Sequence, residues 1–197
     1  MTVPFDKVLA EGVTDAAAAR RLLEQCGRWS ESTIVQVAGD RREFWRLAPK
    51  HNAIARVRMV LGLTDLDRDP CAGGLIAEKL PDGRHASFVL RIAVRCLVSW
   101  LLADREGFEG YFRVAVPRDA REPDGLDDPK RRLVDIVRRS RKSAIAEDMV
   151  PPPGSGHKVG PRFTNRILDF VGTAWNPARA AAVSPSLARA MAALEGS

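Results

Sequence analysis

A chain of 197 residues with 45% hydrophobic and 28% charged residues is long enough for one domain with a substantial core, and too apolar for a disordered polymer. Lys and Arg number 31 against 25 Asp and Glu, giving +6 and a pI near 9.7, an excess that favours a polyanionic partner. The three cysteines, Cys26, Cys71 and Cys96, are isolated and lack metal-ligand spacing, so reduced thiols of a cytoplasmic protein are expected; no apolar run suits a membrane span or a signal peptide.

In chain order, Lys7 to Ala10 reads as a short strand. A helix is expected from Asp15, capped by Thr14 or Asp15, because Ala19, Leu22, Leu23 and Cys26 fall on one helical face before Gly27. Thr33 to Val37 is β-branched and strand-like, and Phe44 to Leu47 suggests a short helical piece. Arg58 to Leu63 is the next expected strand, Ser87 to Val94 another, and Cys96 to Ala103 an apolar helix that buries Trp100. Strands alternating with helices predict an α/β fold with a mainly parallel sheet, in residues 1–104.

Residues 105–197 read differently, as a helical C-terminal segment packed on that core. Asp128-Pro129 is a strong helix start, with Leu133, Ile136 and Val137 facing inward and Arg131, Arg132, Arg138, Arg139 and Lys142 outward. Pro151-Pro152-Pro153-Gly154-Ser155-Gly156 is a loop. Phe163, Ile167, Phe170 and Val171 mark one more amphipathic helix, and Ser184-Pro185 opens a last one carrying Leu187, Met191 and Leu194.

The chemistry is concentrated where strands end. Asp65, Asp67 and Asp69 follow an apolar run, and carboxylates at alternate positions of a strand would lie side by side, repelling one another unless a cation intervenes. The plainer alternative is a polar turn leaving a strand. Glu11-Gly12-Val13-Thr14-Asp15 follows the first strand, at the same carboxyl edge of the sheet. His51, His85 and His157 share no spacing, and Cys71-Ala72-Gly73-Gly74 lacks the Lys and Ser or Thr of a phosphate-binding loop.

Glu11-Gly12-x-x-Asp15 after one strand and Asp65-x-Asp67 after a later one resemble the layout of the TOPRIM superfamily, and of its small members related to OLD-type nucleases of phage defence. Trp100-Leu101-Leu102-Ala103-Asp104 and Asp128-Pro129-Lys130 resemble further segments of those small proteins. The resemblance implies a TOPRIM-like (Rossmann-like) sheet flanked by helices and a nuclease that hydrolyses DNA or RNA with Mg²⁺ or Mn²⁺. It implies Glu11, Asp65 and Asp67 as catalytic residues, and these with Asp69 as metal ligands, Asp15 completing a second shell or second ion. Lys130, Arg131, Arg138 and Lys158 are the candidate phosphate contacts, and a separate ATPase is a candidate partner. One position departs from the pattern: Ser99 stands directly before the Trp where the small proteins carry Glu. That departure supports the alternative, a catalytically degenerate nucleic-acid-binding or regulatory protein. Tyr111, the sole tyrosine, follows no topoisomerase motif.

Overall fold

In the computed structural model, residues 3–196 are described; residues 1, 2 and 197, at the outer ends of the two expected segments, lie outside them. The four strands are β1 (Lys7–Ala10), β2 (Ile34–Val37), β3 (Val60–Asp65) and β4 (Phe88–Ala93). They form one parallel sheet in the order β2-β1-β3-β4. The fold is therefore α/β, Rossmann-like, with a helical C-terminal part.

Helices α1 (Val13–Gln25), α2 (Arg41–Ile54), α3 (Ala72–Lys79) and α4 (Leu97–Ala103) follow the strands in turn. Alternation along each strand sends side chains to opposite faces. Val8, Ala10, Leu61, Leu63 and Val89 join the core that contains the buried face of α1 and all of α4. Leu9, Val60, Phe88 and Leu90 join the other, under α2 and α3. Gly62 faces that second layer because a Cβ there would stand 2.8 Å from Leu90 Cδ1 and 2.9 Å from Phe88 Cε2.

The remaining helices are α5 (Arg105–Phe112), α6 (Pro129–Val137), α7 (Ser143–Met149), α8 (Phe163–Thr173), α9 (Pro177–Ala181) and α10 (Pro185–Glu195). They thicken the α1 side of the sheet: α8 lies on α1, α9 on α4, and α10 on β4. Trp100 Nε1 donates to Ser186 Oγ at 2.7 Å, and Trp175 Nε1 to the Trp100 carbonyl at 3.2 Å, so the two indoles stitch the layers together while staying buried. No helix among the described residues is long and apolar enough to cross a membrane.

Three local expectations are corrected. The first helix starts two residues before Asp15, with Gly12 as its cap, so Asp15 occupies the third helical position, where its Oδ2 accepts the Gly12 N–H at 3.1 Å. The helical piece expected over Phe44 to Leu47 is the 14-residue α2, which passes through Pro49. Asp40 caps it by accepting the Glu43 N–H, and Phe44, Trp45, Ala48 and His51 supply a buried face that outweighs the proline. The third strand runs two residues further than Leu63 and takes Asp65 into its last pairing, Asp65 with Ala93.

Candidate functional site

The sheet's carboxyl edge is staggered. β1 ends at Ala10, level with Leu63, while β3 continues through Thr64 and Asp65. Glu11 therefore emerges beside that overhang, its N–H bonded to the Leu63 carbonyl (3.1 Å) and its carbonyl to the Gly39 N–H (2.9 Å). Thr64 Oγ1 donates to Glu11 Oε2 at 2.5 Å, and the Asp65 N–H approaches the same oxygen at 3.4 Å. Asp65 Oδ1 accepts the N–H of Leu97, the first residue of α4, at 2.8 Å. A carboxylate at a helix N-terminus is held by both the hydrogen bond and the helix dipole.

Glu11, Asp15 and Asp65 thus share a pattern. One oxygen of each is fixed by a protein donor, and no protein donor meets the other. The free Oδ1 of Asp15 is fully buried and unpartnered. All three line a cavity of about 300 Å³, walled by Lys130 and by Phe163 and Ile167 of α8. Asp15 and Asp65 are only 7% and 6% exposed, so the carboxylates are recessed beneath that wall.

The electrostatics follow from this crowding. Burial, then the charge of Glu11, pushes the Asp15 carboxyl up from 3.8 to about 6. Burial, then Asp15, holds Asp65 well above the ordinary carboxyl range. Burial pulls Lys130 down, but Asp65 and its acidic neighbours outweigh it and hold the ammonium protonated. Burial and Asp65 push the Cys96 thiol up to about 12, so it is not a nucleophile at neutral pH.

Asp67 and Asp69 are elsewhere. The strand ends at Asp65, and Asp67 takes a left-handed conformation (φ 52°), which breaks the alternation that would have aligned it with Asp65. Its Oδ2 pairs with Arg41 at 3.0 Å, and Arg41 also pairs with Asp69 and donates to the Asp65 carbonyl at 2.8 Å. Arg41 is thus a staple across the turn after β3. These side chains line an adjoining cavity of about 600 Å³ with Arg68, Arg95, Lys130 and Lys158.

Lys130, Arg131, Arg138 and Lys158 all line a third cavity, of about 510 Å³, along α6 and the loop before α8. Ser99 is buried in α4 with no partner for its hydroxyl, and it does not line the carboxylate cavity, although its neighbours Leu97 and Val98 do. Among the described residues, no three or more His, Cys, Asp or Glu side chains are arranged to hold a metal ion as they stand.

The sequence reading underweights Asp15 and misses Thr64 and Arg41. The four-residue step from Glu11 to Asp15 across a strand-to-helix turn is the signal for the first. Nothing local marks Arg41, because its role depends on where α2 begins. No family model matches the chain, and neither a curated protein nor a solved structure matches it significantly.

Proposed function

We propose that this chain is a TOPRIM-like, Mg²⁺- or Mn²⁺-dependent phosphodiesterase of nucleic acid, with Glu11, Asp15 and Asp65 as its acidic centre. The observation that carries the reading is their common geometry: three carboxylates on one cavity, two of them buried, each with one oxygen anchored and one left over. The buried, unpartnered Asp15 Oδ1 is the kind of atom a cation satisfies, and an all-oxygen donor set suits a hard divalent ion that keeps several waters. Glu11, Asp15 and Asp65 would hold it only after drawing closer than they stand, and Asp67 would join only by leaving Arg41.

Such an ion, when bound, supplies Lewis-acid polarisation of a phosphoryl oxygen and an acidified water. The chain's own residues do the rest. Thr64 and the Leu97 N–H fix the inner oxygens of Glu11 and Asp65, so the outer ones face the substrate. Lys130 stands beside the carboxylates without forming a direct ion pair, able to neutralise a non-bridging phosphate oxygen. Phe163 and Ile167 exclude bulk water from one wall.

A second reading has its own observation. Lys130 already brings a positive charge to the carboxylates, so a regulatory or nucleic-acid-binding protein could hold this site without metal. The discriminating experiment is cleavage of end-labelled single- and double-stranded oligonucleotides with Mg²⁺ or Mn²⁺, comparing wild type with Asp65→Ala. Metal-dependent cleavage lost in the variant supports the enzyme; no cleavage by wild type with either metal supports the second reading.

A further inference from the structure

The carboxylate cavity is small, about 300 Å³, and the two cavities beside it, rich in Lys and Arg, are larger, about 600 and 510 Å³. A space of about 300 Å³ has room for about one nucleotide's sugar-phosphate unit and not for the full width of a duplex. Asp15 and Asp65 are only 7% and 6% exposed, so a phosphate reaches them, or an ion they hold, by entering that recess.

Lys130 borders all three cavities, and Lys158 borders the two basic ones. Val159 lines both the carboxylate cavity and the cavity along α6. The three spaces therefore adjoin one another around Lys130, and together they are a candidate trough. Along it Arg68, Lys130, Arg131, Arg138 and Lys158 form no ion pair with any described carboxylate, and they outnumber the carboxylates on the same walls that likewise form none, Asp127, Asp128 and Asp135. A row of unpaired cations leading into a one-nucleotide recess matches a flexible strand rather than a rigid helix.

We infer that the trough is a single-strand path: it takes single-stranded or frayed nucleic acid, tracks its phosphates along α6, and admits one nucleotide at a time to the carboxylates. The inference rests on the nucleic-acid reading above, and concerns the strandedness of the substrate rather than the chemistry done on it.

The test is fluorescence anisotropy in chelator, so that nothing is cut, with a labelled oligothymidylate and with a blunt duplex of equal length at several salt concentrations. Wild type is compared with the double variant Arg131→Gln, Arg138→Gln, whose fold is checked by circular dichroism. Both side chains are on the outer face of α6, away from its buried residues. The expected result is single-strand binding about 10-fold or more tighter than duplex binding. The variant should bind more weakly, with the single-strand salt slope reduced by about 0.7 per cation removed. Equal or tighter duplex binding overturns the single-strand path while leaving the nucleic-acid reading intact. Unaltered single-strand binding by the double variant overturns the trough as the path. Binding of neither oligonucleotide overturns both.

Discussion

Asp15 sits at the third position of α1, buried against Glu11, and the cost of that placement should be measurable. Its folded value of about 6 exceeds the ordinary 3.8, so the folded state binds the proton more tightly than the unfolded state does. Stability from this group therefore falls as pH rises from about 4 to about 6, and stays low above that. Asp15→Asn removes the penalty and should raise stability at pH 8 by on the order of 2 kcal/mol, roughly 4–8 °C in Tm. At pH 4 the variant and wild type should melt together. A variant no more stable than wild type at pH 8 would contradict the repulsion described here. Of the acidic site, Glu11 and Asp65 were legible from the sequence because each directly follows or ends an apolar strand. Asp67 was misplaced because the sequence does not reveal that the backbone turns left-handed at that residue and hands its carboxylate to Arg41.

Among the elements, those with a clear period and a cap were the most legible. β1 has the bounds its composition suggests, and α6 begins at Asp128-Pro129, with the Asp128 carboxylate accepting the Arg131 N–H. α2 was read too short because Pro49 and four flanking basic residues mask a buried face that only the sheet makes evident. α3, α5, α7 and α9 were not foreseen; they are 5–8 residues long and take their stability from docking rather than propensity. The loop between α7 and α8 carries Lys158 and Val159 to the cavity along α6, and it is pinned where Gly160 donates to the Met149 carbonyl at 2.8 Å. A Cβ on Gly160 would stand 2.5 Å from the Asp148 carbonyl oxygen and 2.7 Å from the Val150 nitrogen, both backbone atoms. Gly160→Ala should therefore destabilise by about 1–3 kcal/mol in urea unfolding. It should also weaken single-strand binding, because the loop must shift. Wild-type stability in that variant would mean the loop is not anchored as described.

For the molecule as a whole, the helical segment completes the core as well as walling the carboxylate cavity. Buried residues of residues 1–104, such as Leu22, Leu61 and Trp100, share one hydrophobic cluster with Phe170, Trp175 and Leu187. Asp104, almost wholly buried, accepts the Asn176 N–H at 2.7 Å and binds Arg179 through two bonds of 2.7 and 3.0 Å. Residues 1–104 expressed alone should therefore lack a cooperative thermal transition; a sharp two-state melt would show that the core stands by itself. The α/β class was readable from the strand–helix alternation. The roof that α8 places over the carboxylates was not, since it joins residues some 150 positions apart, such as Asp15 and Phe163. That roof and the staggered strand ends together bring Glu11, Asp15 and Asp65 to one cavity and leave Asp67 out of it, and the proposed cation site rests on that grouping. Calorimetric titration of Mn²⁺ into wild type, Asp15→Asn, Asp65→Asn and Asp67→Asn tests this most directly. Binding should be lost, by about 10-fold or more, in the first two variants and retained within about 2-fold in Asp67→Asn. Loss in Asp67→Asn equal to that in Asp65→Asn, with Asp15→Asn unaffected, would contradict it.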